Sequence, residues 1–318
     1  MGSPHGLPRY VVTGPSGWIG RTLLALLEQN LGDAAGAQVI AFASSTRDQL
    51  LPSGAKLRVR PLGTISPADV DRAHLIHLAY LTKERAEELG ERRFTEGNIA
   101  IDDAVLEAMS KSAPASVFVA SSGAAALAAR GADLHPYGLA KLRQEARFLE
   151  SAAGSGIPTI VGRIFNLAGP NINKLSSYAI SNFVQQACGH GRIRIEAKVP
   201  VFRSFLHVDD LCELIIAAAQ RTVGSARPID LCGGQVVEMG ELASAVAHAV
   251  GGPVAIERGN VDCSRPSAYV GDYSETKALA MSLDIEISGL EKQINDTIDW
   301  LRKSQVYDKT HSMAVALS

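Results

Sequence analysis

The sequence predicts an α/β fold built on a doubly wound parallel sheet, followed by a smaller mixed α/β part toward the C-terminus. Short apolar runs alternate with helical patterns through the first half of the 318-residue chain. The runs are continuously apolar, as expected for parallel strands that helices cover on both faces. After about Asn166 the alternation loosens into helices separated by short strands.

The elements follow in order along the chain. Strands are predicted at residues 10–13, 39–42, 57–59, 75–78, 117–120 and 159–164, and helices at 18–30, 83–111 and 137–153, with Gly90 and Gly97 as candidate breaks. The second part is predicted to have helices at 176–188, 208–221, 239–250, 274–280 and 290–303, and strands at 193–196, 228–231 and 254–256. We expect one domain over residues 1–166, with later helices packing back on it, a second part over 167–304 and a tail over 305–318.

Composition narrows the class of protein. A hydrophobic fraction of 46% excludes a disordered chain, and a net charge of −2 gives no general attraction to nucleic acid or an anionic membrane. No apolar run approaches the ~20 residues that span a bilayer, and the first eight residues lack the pattern of a secretory signal. The four cysteines show no CxxC spacing. We therefore expect a cytoplasmic protein without a metal site.

A glycine-rich turn joins the first strand to the first helix. The segment reads Thr13-Gly14-Pro15-Ser16-Gly17-Trp18-Ile19-Gly20. The first glycine permits a sharp turn, the second lets backbone approach a pyrophosphate, and the third lets the helix pack on the strand. Backbone N–H groups at the helix start favour phosphate. A purely structural turn is the alternative; the placement predicts a Rossmann-type dinucleotide site with contacts from Gly14, Ser16, Gly17, Trp18, Ile19 and Gly20.

The end of the second strand indicates which dinucleotide binds. An acid there would bond the ribose hydroxyls of NAD, but the chain reads Ala43-Ser44-Ser45-Thr46-Arg47. Hydroxyls and a guanidinium suit a 2′-phosphate. We expect Ser44, Ser45 and Arg47 to bind NADP(H) in preference to NAD(H). If Arg47 is only a solvated loop residue, NAD(H) remains possible.

Three residues form a candidate catalytic set. Tyr137 and Lys141 are spaced i and i+4, so they share one helix face. Bringing a phenol pKa from ~10 to ~7 requires about 4 kcal/mol, which one cation at ~4 Å supplies in an effective dielectric of ~20. Tyr137 is therefore a candidate general acid or base. Ser122 ends the fifth strand, where its hydroxyl would orient a substrate oxygen, although a capping role is the alternative.

Together these residues resemble the extended short-chain dehydrogenase/reductases that act on nucleotide-activated sugars. The resemblance also covers His77-Leu78-Ala79, Asn98, an RxFNxxGP-like segment from Arg163 to Pro170, and the segment Arg203-Ser204-Phe205-Leu206-His207-Val208-Asp209-Asp210. It implies that Leu78, Ala79 and Asn98 belong to the cofactor site and that Lys141 also holds the nicotinamide ribose. It further implies that Asn166, Arg203 and Arg265 contact the diphosphate of a nucleotide-sugar substrate, and that the chain forms a homodimer through helices 83–111 and 137–153.

The sequence also departs from this family. Gly123 and Ala124 stand where the dehydratase branch carries an acidic pair, so dehydration is disfavoured. The absent second-strand acid weakens the epimerase interpretation. We expect an NADPH-dependent ketoreductase that acts at C4 of a nucleotide-linked deoxyhexose. A 4-epimerase with tightly bound NAD is the alternative, and a non-catalytic dinucleotide-sensing protein is a further one.

Overall fold

The computed structural model describes residues 8–316, with side chains described as far as residue 303. Residues 1–7, which are seven of the eight residues to which the signal-peptide expectation applied, and the last two residues of the predicted tail lie outside that part. The chain divides into two compact units. The first runs to Ile164 and adds Leu211–Leu231 and Ser274–Ile285. The second contains Phe165–Asp210, Cys232–Tyr273 and the chain from Glu286 onward.

The helices and strands are numbered in chain order. The strands are β1 (Tyr10–Thr13), β2 (Val39–Ala43), β3 (Arg47–Leu50), β4 (Lys56–Pro61), β5 (His74–His77), β6 (Ser116–Ser122), β7 (Thr159–Ile164), β8 (Asn166–Ala168), β9 (Arg192–Ile195), β10 (Val201–His207), β11 (Ile229–Leu231), β12 (Val236–Glu238), β13 (Ala255–Arg258) and β14 (Ser267–Tyr269). The α-helices are α1 (Trp18–Leu31), α2 (Ala35–Gln38), α3 (Pro67–Val70), α4 (Lys83–Leu89), α5 (Glu91–Lys111), α6 (Gly123–Ala129), α7 (Pro136–Ser155), α8 (Ala179–His190), α9 (Val208–Gln220), α10 (Met239–Val250), α11 (Tyr273–Leu283) and α12 (Leu290–Ala316).

The first unit contains an eight-stranded sheet in the order β11-β7-β6-β5-β1-β2-β4-β3. Every neighbouring pair is parallel except β3 and β4. The chain winds in opposite directions from β1, so the strand order reverses between β1 and β5, where such sheets bind ligands. This order confirms the predicted doubly wound fold. Its core includes Val11, Phe42, Val119, Val161 and Phe148.

The second unit is smaller and mixed, as predicted. One sheet has the order β12-β10-β14, with β8 also paired to β10, and β9 pairs with β13. The core of this unit is formed mainly by apolar faces of α8, α10 and α12, including Ile180, Leu242, Val246, Ile294 and Ile298.

Several boundaries differ from the sequence predictions. The long helix breaks at Gly90, whose φ of 75° lies in the left-handed region, but it continues through Gly97. A Cβ at Gly97 would lie 2.8 Å from the Leu81 side chain, so this glycine permits close packing. The strand predicted at 228–231 in the second part pairs with β7 in the first sheet. The last helix extends through residues predicted as tail.

Three further findings concern the described part of the chain. None of its helices combines the length and apolar character needed to cross a membrane. No cluster of three or more His, Cys, Asp or Glu side chains within it is arranged to hold a metal ion. Its cysteines are free thiols: Cys212 and Cys232 are buried, whereas Cys188 and Cys263 are exposed.

Candidate active site

The carboxyl ends of β1, β2, β5 and β6 meet at one edge of the first sheet. Thr13, the last residue of β1, is in register with Phe42 of β2 and His77 of β5, and His77 is in register with Val119 of β6. The residues that follow these strands include most of the predicted cofactor and catalytic residues. The topology therefore brings together groups that are far apart in sequence.

The glycine turn is tightly packed, with Gly20 against the backbone of the turn itself and not against the strand. Gly14 has a φ of 72°, and a Cβ there would lie 2.8 Å from the Ala79 nitrogen. A Cβ at Gly20 would lie 2.3 Å from the Gly14 oxygen, whereas a Cβ at Gly17 would come no closer than 3.6 Å to that atom. Gly14 and Gly20 are thus required by internal packing. A Cβ at Gly17, the N-cap of α1, would make only ordinary contact, so internal packing does not require this glycine, and its place at the helix start suits the close approach of a pyrophosphate.

Arg47 lies beside this turn. It is the first residue of β3, an edge strand at a position expected from the sequence to be a loop. Its Nη2 donates to Ser16 Oγ at 2.9 Å, and the Nε of Arg21 donates to the Ser16 backbone oxygen at 3.0 Å. Ser44 and Ser45 are exposed after β2. The structure thus brings cationic and hydroxyl groups together next to the turn.

Thr13 and Asn98 hold the segment after β5. The Thr13 hydroxyl accepts hydrogen bonds from the N–H groups of Leu78 and Ala79 at 3.1 and 3.0 Å. Asn98 is buried on α5, where its side-chain oxygen accepts from the Leu81 N–H at 2.8 Å. Asn98 therefore fixes the position of the segment expected to line the cofactor site.

Ser122 and Tyr137 lie at the starts of two consecutive helices, as the N-cap of α6 and the second residue of α7. The Ser122 hydroxyl accepts from the Ala124 N–H at 3.2 Å and so caps α6, a helix that the sequence analysis did not predict. Tyr137 is half-buried in the first turn of α7, and its N–H donates to His135 Nδ1 at 3.1 Å. Its ring meets the ring of Tyr80 edge-on, with 6.4 Å between centroids.

Lys141 is buried in the same unit. Its Nζ donates to the Ala120 oxygen at 2.6 Å and to Gln144 Oε1 at 2.9 Å, and it lies 3.6 Å from the centroid of the Tyr80 ring. Burial lowers the pKa of Lys141 to about 7, while the charges of Asp102 and Glu145 act in the opposite direction. Burial also raises the pKa of the Tyr80 hydroxyl.

Three neighbours of the candidate catalytic residues were missed by the sequence analysis. Tyr80 follows directly on the predicted cofactor residues, Gln144 is i+3 from Lys141, and Asp102 is i+4 from Asn98. Helical spacing could have identified the last two as sharing a face with predicted residues. Their contact with each other could not be found from the spacing, because it joins two separate helices.

The predicted substrate residues lie in the second unit. Asn166 donates to the backbone oxygens of Ser204 and Tyr269 at 3.1 and 3.3 Å. Arg203 is half-buried, donates to the Phe202 oxygen at 2.8 Å and lies over the Tyr269 ring at 5.9 Å. Burial lowers the pKa of Arg203, as expected for a cation removed from water. Arg265 is exposed.

Two residues from the resembling motifs have structural contacts. Arg163 forms a two-pronged ion pair with the buried Glu145, through bonds of 2.9 and 2.7 Å. His207 is buried, with Nδ1 accepting from the Asp209 N–H at 3.1 Å and Nε2 lying 3.1 Å from an Asp296 oxygen. Both residues hold helices against strands within their own units.

Comparison with known proteins gives a match to one sequence family. The model of the NAD dependent epimerase/dehydratase family matches residues 10–232. The comparison with curated proteins finds no match.

Solved structures share the fold. A UDP-N-acetylglucosamine 4-epimerase from Methanobrevibacter ruminantium M1, in complex with UDP-N-acetylmuramic acid, has a TM-score of 0.75 and 16% identity over 94% of this chain and 100% of its own. MoeE5 in complex with UDP-glucose and NAD has a TM-score of 0.67 and 24% identity over 93% of this chain and 99% of its own. RMD from Pseudomonas aeruginosa complexed with NADPH has a TM-score of 0.67 and 21% identity over 93% and 100%.

Proposed function

This chain belongs to the NAD dependent epimerase/dehydratase family, and from that membership we propose that it is an NAD(P)-dependent oxidoreductase of the extended short-chain type that acts on a nucleotide-activated sugar. The observation that carries the proposal is the Lys141 ammonium, buried one helical turn from Tyr137 at the ligand-binding edge of the sheet. A lysine is rarely buried to this extent without a role for its charge.

Each residue of the catalytic set has a defined task in this proposal. When bound, the nicotinamide supplies or accepts the hydride. Tyr137 holds the proton that is exchanged with the sugar oxygen, and Lys141 favours the ionised phenol through its charge. Ser122 orients the same sugar oxygen. In the second unit, Arg203 binds the substrate diphosphate, with Asn166 and Arg265 as further contacts.

Within this class we propose an NADPH-dependent 4-ketoreductase of a nucleotide-linked deoxyhexose. The contact between Arg47 and Ser16 supports binding of a 2′-phosphate beside the glycine turn, and the NADPH complex of RMD shows that the fold accepts this dinucleotide. Gly123 and Ala124 begin α6 with no acidic group, which disfavours dehydration. Arg203 is a half-buried cation suited to a diphosphate.

A 4-epimerase that retains NAD is the second candidate. It is supported by the fold shared with the 4-epimerase from Methanobrevibacter ruminantium and with the NAD complex of MoeE5. The two candidates differ in stoichiometry, because a reductase consumes one reduced dinucleotide per product whereas an epimerase returns its hydride. We further propose that the chain is a homodimer, to be tested by analytical ultracentrifugation.

Tyr137→Phe tests the proposed chemistry. We expect turnover of nucleotide-linked 4-keto sugars to fall by about two to four orders of magnitude, because proton transfer by a positioned side chain contributes that much. NADPH consumption and product are measured together by absorbance and mass spectrometry. Tyr273→Phe, which removes a half-buried phenol of the second unit, is the matched control. Interconversion of UDP-hexoses without net NADPH consumption would favour the epimerase, and full activity of Tyr137→Phe would refute both enzymes.

A further inference from the structure

The Lys141 ammonium is held by a chain of buried polar groups that begins on its own helix. Gln144, which is 1% exposed, accepts from Lys141 Nζ through Oε1. The same amide donates through Nε2 to Asp102 Oδ1 at 2.7 Å. Asp102 is 3% exposed on α5. One amide therefore separates a buried cation from a buried carboxylate.

A second path of hydrogen bonds reaches Asp102 Oδ1 from Thr13, through His77. The Thr13 hydroxyl accepts two backbone N–H bonds, so its own proton is directed to His77 Nδ1 at 2.8 Å. His77 then carries its proton on Nε2, which donates to Asp102 Oδ1 at 3.2 Å. Two hydrogen-bonded paths therefore end at Asp102, one from Lys141 and one from the segment that contains Leu78 and Ala79.

Burying the Lys141 ammonium and the Asp102 carboxylate costs free energy unless the two charges are stabilised inside the protein. A carboxylate and an ammonium that are both removed from water lose several kcal/mol of hydration each. Gln144 is oriented with its oxygen toward the cation and its nitrogen toward the anion, so its dipole stabilises both charges. An apolar side chain at Gln144 would leave both charges without this partner.

We propose that Asp102, acting through Gln144, is the positioning residue that keeps Lys141 charged and directed at the Ala120 carbonyl. His77 and Thr13 join this hydrogen-bonded network to the segment after β5. The proposal deepens the proposed function, since it assumes that the Lys141 charge acts on Tyr137. The positioning itself is a property of the protein without substrate.

Other charged and titratable groups also face this hydrogen-bonded network. On α7 they are Tyr137, Arg143, Glu145 and Arg147, and Tyr80 faces Lys141 from the segment after β5. Glu145 is committed to its ion pair with Arg163. Arg147 lies 3.8 Å from Asp102 Oδ2 and also pairs with Asp103. Asp102 is therefore the negative charge that a hydrogen-bonded path joins to Lys141.

The test follows the protonation of Lys141 directly. Lysine-selective nitrogen NMR gives the titration of Nζ, with Lys141→Met to assign the signal. Asp102→Asn keeps an oxygen acceptor for Gln144 and His77 but removes the charge. We expect the midpoint of the Lys141 titration to fall by about one pH unit. Gln144→Met, which breaks the path without removing the carboxylate, is expected to lower it as well.

Asp103→Asn is the matched control, because it removes the neighbouring exposed carboxylate of the same helix. We expect it to leave the Lys141 titration unchanged. An unchanged midpoint in both Asp102→Asn and Gln144→Met overturns the proposal, as does an equal shift in all three variants. If Asp102→Asn does not fold by circular dichroism, Gln144→Met decides the question alone.

Activity measurements separate this proposal from the proposed function. We expect the alkaline limb of the kcat profile to move to lower pH in step with the NMR midpoint. A shifted midpoint together with a fully active Tyr137→Phe would refute the proposed function and leave the positioning intact. A fixed midpoint with an inactive Tyr137→Phe would refute the positioning and leave the function.

Discussion

Arg47 is the side chain on which the proposed choice of dinucleotide depends. Its guanidinium already contacts Ser16 in the glycine turn, so a 2′-phosphate bound there would meet a cation held in place. Removing a charge-assisted hydrogen bond costs roughly 1.5–3 kcal/mol, which is about ten-fold or more in affinity. We expect Arg47→Ala to weaken NADPH binding by at least about ten-fold and to change NADH binding little.

Calorimetric titration of both dinucleotides checks this prediction. Arg58→Ala is the control, because Arg58 is an exposed arginine on the neighbouring strand β4 that pairs with Asp48. Equal losses for NADPH and NADH in Arg47→Ala would contradict the proposed role of the guanidinium.

At the scale of single elements, α10 shows how one carboxylate can stabilise several groups. Glu238 caps this helix by accepting from the Gly240 N–H at 2.7 Å, and it also pairs with Arg258 through bonds of 2.8 and 2.9 Å. The Arg258 hydrogen bonds lower the pKa of Glu238 to about 2 from an ordinary value of 4.5. Glu238 therefore stabilises the folded state above about pH 4.5, and this contribution is lost as the pH falls toward 2.

Glu238→Gln is predicted to reduce the free energy of unfolding by about 1–2 kcal/mol near neutral pH. The difference from the parent protein should shrink as the pH is lowered from about 7 to about 3. Urea unfolding at several pH values measures this difference in unfolding free energy. Glu257→Gln, in an exposed pair with Arg192, should change stability little at any pH. A pH-independent effect of Glu238→Gln would show that the capping bonds alone matter.

The elements differ in how well the sequence predicts them. β1, β7 and α10 have the predicted bounds, because Gly14 follows β1, Pro158 precedes β7 and Gly251 follows α10. β3 was missed because its Arg-Asp-Gln-Leu sequence alternates between exposed and half-buried positions at a sheet edge. β8, β12 and β14 were missed because each has only three residues and depends on pairing with β10, and the longer β10 was missed with them. Asp102 and Gln144 likewise become partners only when α5 and α7 pack.

At the scale of the whole molecule, the residues proposed to bind the dinucleotide and the substrate nucleotide belong to different units. The glycine turn belongs to the first unit and Arg203 to the second. A ligand at ~100 times its Kd adds about 2.7 kcal/mol to stability. NADPH and UDP are therefore each expected to raise the melting temperature when added alone.

Arg203→Leu should abolish the shift caused by UDP and preserve the shift caused by NADPH. Scanning fluorimetry provides the measurement. Arg192→Leu, which changes an exposed arginine of the same unit, should keep both shifts. Loss of the NADPH shift in Arg203→Leu would show that this arginine does not act on the nucleotide alone.

The strand order of the large sheet limits how this protein can be dissected. β11, which borders β7, comes from residues 229–231, and the first unit also uses Leu211–Leu231 and Ser274–Ile285. A fragment cut after residue 166 would lack these segments and leave the backbone of β7 open to pairing with other chains. Chimeras that exchange specificity between relatives must therefore be spliced at several junctions, and simple truncation would yield aggregation-prone material.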